Sequence, residues 1–206
     1  AGEGRRSRGA AKEGDAMHAL QHLIGRTLPP VSLPSTDGAT VDLRALRGHW
    51  TVLYTYPKNR VNMPGQDPSP PGWRETPGLY GCTGEACAFR DAMEEFRRLG
   101  VRVYGISTQD SAYQRTFVER FNLNFPLLSD QRLVLARSLG LPTVVFDGET
   151  LLRRITLIVD PDGVVRHAFD TPEIPDPAAH PRAVLEWLTR HVGTAPPLDA
   201  GSSPPL

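Results

Sequence analysis

The sequence has few cysteines, no long apolar run and no excess of charge of either sign. Two cysteines in 206 residues exclude a disulfide-rich mini-protein. No apolar run approaches the roughly eighteen residues that a membrane-spanning helix needs. Basic and acidic residues balance at 23 each, so the net charge gives no reason to expect a nucleic acid or a membrane surface as partner.

The common signatures of cofactor and metal sites are also missing. No Gly-rich phosphate loop, flavin fingerprint, Ser-His-Asp set or Cys-x-x-Cys pair occurs in the chain. Two cysteines and scattered histidines do not make a structural zinc site. We therefore expect no cofactor and no bound metal.

The two ends of the chain differ in composition from its middle. Residues 1–16 are basic but lead into no apolar segment, so they lack the pattern of a secretory signal, and we expect a cytoplasmic protein. Residues 193–206 are rich in Pro, Gly and Ser. We predict a flexible leader at 1–22, one folded domain at 23–192 and a disordered tail at 193–206.

Between these ends, strand and helix patterns alternate, which is typical of an α/β protein. Strands are predicted at 50–56 and 101–107. A hairpin is predicted with strands at 151–159 and 164–169 and a turn at 160–163. Helices are predicted at 85–99, after Asp110, from Ser129 or Asp130 to near Gly140, and around Trp187. This order predicts a thioredoxin-like fold, a central mixed β-sheet flanked by helices, with an inserted element.

The two cysteines lie at the start of the first predicted long helix, in the run GCTGEACAFRD at 81–91. Cys82 shares the apolar stripe of Ala86, Phe89 and Met93, whereas Cys87 is rotated by about 140° onto the polar side. Cys82 should therefore face inward and Cys87 outward. Because free N–H groups and the positive end of the helix dipole favour a thiolate at a helix start, we expect the pKa of Cys82 to be lowered.

Several segments together resemble a known family. These are Tyr56-Pro57-Lys58, the cysteine run at 81–91, Gly-Ile-Ser at 105–107, FPLLSD at 125–130 and RITLIVDPDG at 154–163. Over about residues 25–190 the chain resembles the peroxiredoxin Q class of bacterioferritin comigratory proteins. The resemblance implies a peroxiredoxin-type, thioredoxin-like fold and a thiol-dependent peroxidase.

The resemblance also implies roles for individual residues. Cys82 would be the peroxidatic cysteine, which attacks the peroxide bond and becomes a sulfenic acid, and Cys87 would resolve it as an intramolecular disulfide. Pro57 would shield the thiolate. The implied partners are a peroxide substrate and a thioredoxin-like reductant, with the chain acting as a monomer or a weak homodimer.

The family's active-site arginine corresponds to Arg154. Its neighbour Arg153 is also an arginine, and adjacent residues of a strand point to opposite faces, so only one of the two can reach the thiolate. The family's Arg-x-Ser/Thr pattern selects Arg154, which would stabilise the thiolate and donate to the peroxide oxygens.

The chain departs from the family before Cys82. The family carries a Thr or Ser three residues before the peroxidatic cysteine, but here that position is Leu79. A Pro-rich insertion also separates Pro57 from Cys82, which gives an expected inserted loop at 58–80.

Three outcomes are open for the missing hydroxyl: Thr76 could fold back into its place, Thr83 or the backbone could replace it, or the site could be weakened. The last case leaves an alternative function, a redoxin-like peroxide sensor or binding module without efficient turnover. We expect the insertion to be a stiff functional loop.

Overall fold

The computed structural model describes residues 20–61 and 69–193. The predicted leader up to residue 19, the tail from 194 and the central part of the insertion lie outside the described residues. Leu20 and Leu23 are both buried, so the packed domain begins at least three residues before the expected start at 23.

Nine strands form three sheets in the described part of the chain. The strands are β1 (Ser32–Pro34), β2 (Thr40–Asp42), β3 (Trp50–Thr55), β4 (Val101–Ser107), β5 (Leu127–Ser129), β6 (Thr143–Phe146), β7 (Glu149–Leu152), β8 (Ile155–Val159) and β9 (Val165–Phe169). The central sheet has the order β5-β4-β3-β8-β9, while β1 pairs with β2 and β6 with β7. In the central sheet β3, β4 and β5 run parallel, and β8 is antiparallel to both β3 and β9.

Four α-helices accompany these strands within the same residues. They are α1 (Cys82–Arg98), α2 (Ser111–Phe121), α3 (Val134–Leu139) and α4 (His180–His191). The carboxylate of Asp110 accepts the N–H of Tyr113 at 2.8 Å and so caps α2. α1 ends where Gly100 takes a positive φ of 68°.

The central sheet is buried on both faces, because its strand residues alternate between two separate apolar cores. Val52 and Tyr54 of β3 pack in the core that contains Phe89 of α1, whereas Leu53 packs on the other side. The predicted inward stripe of α1 is confirmed, since Cys82, Ala86, Phe89, Met93 and Phe96 are all buried. α1 is therefore fixed to the sheet along its whole length.

The thioredoxin-like architecture predicted from the sequence is confirmed, but several boundaries are wrong. The helix predicted at 85–99 runs from Cys82 to Arg98. The predicted strand at 151–159 is two strands, since β7 pairs with β6 and β8 with β3 and β9, and Arg153 and Arg154 occupy the break. The helix expected from Ser129 or Asp130 begins only at Val134, because Leu133 has a positive φ of 53°. The Asp130 carboxylate still accepts N–H groups of its first turn.

Candidate active site

The site is built around the first residue of α1. Gly81 precedes the helix with φ 96°, a left-handed conformation that favours glycine. A Cβ at this position would lie 2.9 Å from Cγ of Pro177. The sequence Gly-Cys therefore allows the chain to turn sharply beneath the segment before α4 and to begin the helix at Cys82.

Cys82 is buried at the start of α1, and several hydrogen-bonding groups contact its sulfur. Its side chain is 3% exposed. Nη2 of Arg154 donates to Sγ at 3.0 Å, the backbone N–H of Lys58 also donates to the sulfur, and the thiol donates to the carbonyl of Leu79 at 3.4 Å. Two donors thus converge on the sulfur, an arrangement that stabilises negative charge there.

The pKa of Cys82 differs from the sequence-based expectation. Burial raises the pKa of the thiol above its ordinary value, while Arg154 and the Lys58 N–H lower it and Glu85 raises it. The expectation of a lowered pKa was wrong because it considered the helix start alone and not the loss of water around the sulfur. Arg154 is therefore the group on which thiolate formation most depends.

Arg154 reaches this position from the break between β7 and β8. Its side chain is fully buried, and it donates to the carbonyl of Tyr80 at 2.9 Å and to the carboxylate of Glu85. Arg153 points elsewhere and donates to Asp170 at 2.7 Å. The two arginine side chains point in different directions, as expected from the sequence, although they lie between strands and not within one.

Glu85 is a site residue that sequence reasoning missed. It is fully buried on the first turn of α1, paired with Arg154, and burial raises its pKa to about 7 against the effect of that partner. A signal was present in the sequence, since a residue three places after Cys82 lies on the same side of a helix. An acidic residue on that inward side needs a buried cation.

Cys87 lies one and a half turns further along α1. Both cysteines are free thiols, Cys87 is half-buried, and burial raises the pKa of its thiol. The helix is continuous from Cys82 to Arg98. Cys87 is therefore near Cys82 in the chain but on another side of the helix.

The structure does not bring Thr76 to Cys82. The Thr76 hydroxyl donates to the carbonyl of Gly72 at 2.6 Å. Leu79, which replaces the family's Thr or Ser, is buried in an apolar cluster with Trp73 and Leu151. Thr83 is closer to the required place, because it lines the same pocket as Cys82 and donates to the carbonyl of Arg60 at 3.4 Å.

Pro57 is buried directly before Lys58, whose N–H bonds the thiol. It thus lies in the segment that covers Cys82.

A pocket of about 260 Å³ opens above Cys82. The described part of the insertion forms one wall through Arg60, Trp73 and Arg74, and the first turn of α1 forms the other through Thr83. Trp73 is 3% exposed and packs edge-on against Phe146 of β6 at 5.1 Å between ring centroids. The described part of the insertion is therefore held against the β6–β7 hairpin through Trp73 and borders the pocket over the thiol.

Within the described residues, no group of three His, Cys, Asp or Glu side chains could hold a metal ion. Among the helices of residues 20–61 and 69–193, none is long and apolar enough to cross a membrane.

Comparison with known proteins identifies the family. The AhpC/TSA family matches residues 76–168. The chain is 35% identical to Peroxiredoxin Bcp of Escherichia coli K12 over 81% of this chain and 96% of that protein. It is 36% identical to the chloroplastic Peroxiredoxin Q of Triticum aestivum over 71% of this chain, spanning 58% of the wheat protein's length.

Solved structures agree with this relationship. Peroxiredoxin Q of Xanthomonas campestris superposes with a TM-score of 0.64 at 27% identity, covering 84% of this chain and 100% of that one. Peroxidoxin BcpB of Mycobacterium tuberculosis gives the same TM-score and identity, covering 82% and 98%. Taken with the buried thiol, its arginine and the shared fold, these matches show that the chain belongs to the AhpC/TSA family, in its peroxiredoxin Q/Bcp class.

Proposed function

We propose that the chain is a thiol-dependent peroxidase for hydrogen peroxide and organic hydroperoxides, with Cys82 as the peroxidatic residue. The observation that carries the proposal is the contact of 3.0 Å between Nη2 of Arg154 and Sγ of Cys82 at the base of a pocket. A fully buried guanidinium beside a nucleophilic sulfur stabilises the thiolate. It also offers donors to the oxygens of a bound peroxide.

The first chemical step is attack on the peroxide bond. The Cys82 thiolate forms a bond to one peroxide oxygen, the O–O bond breaks, and the departing alkoxide or hydroxide takes a proton to leave as alcohol or water. Arg154 donates to the leaving oxygen as charge develops. Cys82 is left as a sulfenic acid.

The second step uses Cys87. Its thiol attacks the Cys82 sulfenic sulfur, forms a disulfide and releases water. A thioredoxin-like dithiol then reduces this disulfide and is itself oxidised to a disulfide. Since Cys82 and Cys87 lie on different sides of an intact helix, the first turn of α1 must open before this bond forms.

The direct test is rapid mixing of the reduced protein with hydrogen peroxide. We expect oxidation much faster than that of a free thiol, one Cys82–Cys87 disulfide by mass, and sustained peroxide consumption when thioredoxin, its reductase and NADPH are supplied. Oxidation no faster than a free thiol would instead favour the alternative, a degenerate redoxin-like sensor or binding module.

A further inference from the structure

The backbone of Arg154 lies in the short gap between two strands. β7 ends at Leu152 and pairs with β6, whereas β8 begins at Ile155 and pairs with β3 and β9. Arg153 and Arg154 belong to neither strand, and Arg154 is fully buried. Because buried backbone groups need hydrogen-bond partners, side chains in such a gap can supply the bonds that a neighbouring strand would give.

Two threonine hydroxyls hold this stretch of backbone. The Thr55 hydroxyl, at the end of β3, donates to the carbonyl of Arg153 at 2.6 Å and accepts the N–H of Ile155 at 3.3 Å. The Thr171 hydroxyl, just after β9, donates to the carbonyl of Arg154 at 2.7 Å and accepts from Nε of Arg153 at 3.4 Å. The backbone on both sides of the Arg154 Cα atom is therefore bonded to a side-chain hydroxyl.

These backbone contacts are independent of α1. The guanidinium of Arg154 bonds only to groups within residues 80–85, which end in the first turn of that helix. Thr55 belongs to β3, and Thr171 belongs to the connection between β9 and α4. Opening of the first turn of α1 would release the guanidinium from its partners, whereas the two hydroxyls would keep the backbone of Arg154 in place.

We propose that Thr55 and Thr171 are positioning residues, which act through the backbone of Arg154 to hold its guanidinium at the Cys82 sulfur. The inference rests on the peroxidase function proposed above. The contact that the two hydroxyls would preserve is the 3.0 Å between Nη2 of Arg154 and Sγ of Cys82. A small displacement of a donor from its working position costs much of its effect, so residues that fix the donor's backbone influence the reaction without touching the peroxide.

The test removes each hydroxyl and keeps the shape of the side chain. Thr55→Val and Thr171→Val are compared with the wild type in the rate constant of oxidation by hydrogen peroxide, and in the pKa of Cys82 from thiol alkylation in the Cys87→Ser background. We expect each variant to react about tenfold more slowly. The pKa should rise, because the Arg154 charge lowers it. Thr55→Ser and Thr171→Ser retain the hydroxyl and should keep both values near those of the wild type.

Two controls separate positioning from stability. Thr51→Val removes another buried hydroxyl from the same side of β3, four residues before Thr55. Thr189→Val removes a hydroxyl that donates to a backbone carbonyl of α4, that of Leu185, at 2.8 Å. Both controls should leave the rate constant and the pKa unchanged, whatever they do to the free energy of unfolding. Thr171 is only half-buried, so Thr171→Val tests the proposal even if Thr55→Val does not fold.

The outcomes separate this proposal from the proposed function. Fast oxidation of the wild type, with the same rate constant and pKa in both valine variants, would overturn the positioning role and leave the peroxidase function standing. Equal losses in Thr51→Val and Thr189→Val, or losses that serine does not restore, would also overturn it. If the wild type reacted no faster than a free thiol, the proposed function would fail. The pKa from alkylation, which needs no peroxide, would still show whether the two hydroxyls hold Arg154 at the sulfur.

Discussion

Arg154 and Glu85 form an ion pair in which neither side chain is exposed to solvent. The same guanidinium donates to Sγ of Cys82. The thiolate and the carboxylate therefore compete for a single buried positive charge. Any change at one of the two acidic groups must alter the pKa of the other.

Replacing Glu85 by Gln is expected to lower the pKa of Cys82. The Glu85 charge raises the pKa of the thiol, and a neutral Gln retains an oxygen that can accept from Arg154. The pKa is measured from the pH dependence of thiol alkylation in the Cys87→Ser background. Glu94→Gln, on the exposed side of the same helix, is the control and should leave it unchanged. A raised pKa in Glu85→Gln would mean that its main role is to orient Arg154.

Glu85 should also make stability depend on pH. Its pKa is about 7 in the folded protein against an ordinary 4.5, so the folded chain binds the proton more tightly than the unfolded chain. Its contribution to the free energy of unfolding should thus fall as pH rises from about 4.5 to about 7. Denaturant unfolding of the reduced protein across this range should show a fall that Glu85→Gln lacks. Identical pH profiles for the two proteins would contradict the raised pKa.

Arg154→Lys should slow peroxide reduction by about a hundredfold and raise the pKa of Cys82. A lysine cannot reproduce the separate contacts to Cys82, Glu85 and Tyr80, and loss of one preorganised donor has effects of this order. Arg153→Lys is the matched control, because Arg153 contacts Asp170 and not the thiol. Rapid-mixing kinetics on both variants test this, and equal losses would show that the two arginines are not divided in function.

Substitution of each cysteine should block a different step of the reaction. Cys82→Ser should abolish peroxide consumption, whereas Cys87→Ser should keep one fast oxidation and then fail to recycle with thioredoxin. Single-turnover and steady-state assays on both variants distinguish these steps. The assignment is reversed if Cys82→Ser retains the initial oxidation and Cys87→Ser loses it.

Disulfide formation should unwind the start of α1. Five residues of a helix rise about 7.5 Å and turn about 140°, whereas a disulfide needs Cα atoms within roughly 7 Å and Cβ atoms facing each other. Gly81 and Gly84 flank the first turn and weaken it. Amides at 82–90 should therefore exchange faster with solvent in the oxidised protein than in the reduced one. Equal protection in both states, with the disulfide verified by mass, would defeat local unwinding.

The sequence was most informative where a periodic pattern matched a buried surface. The stripe of Cys82, Ala86, Phe89 and Met93 correctly predicted which side of α1 packs on the sheet. The break at Arg153 and Arg154 was missed because only these two residues separate the apolar residues of β7 from those of β8, so both segments were assigned to one strand. Their pairing partners, β6 for β7 and β3 for β8, show that they are separate strands.

Parts of the site depend on contacts that no local pattern contains. The pKa of Cys82 is set by burial beneath segments distant in the chain, so helix position alone gave the wrong direction. The packing of Leu79 and Trp73 on Leu151 likewise joins the insertion to a hairpin about seventy residues later. Such contacts become visible only when the chain is folded.

The position of Trp73 beside Cys82 should make its intrinsic fluorescence sensitive to the redox state of the protein. Of the three tryptophans, Trp50 of β3 and Trp187 of α4 pack against each other with ring centroids 6.1 Å apart, whereas Trp73 lines the pocket over Cys82. Opening of the first turn of α1 should change the surroundings of Trp73 and leave the Trp50–Trp187 pair in place. Intrinsic fluorescence should therefore report each oxidation and reduction in real time, through a signal that Trp73→Phe removes and Trp187→Phe retains.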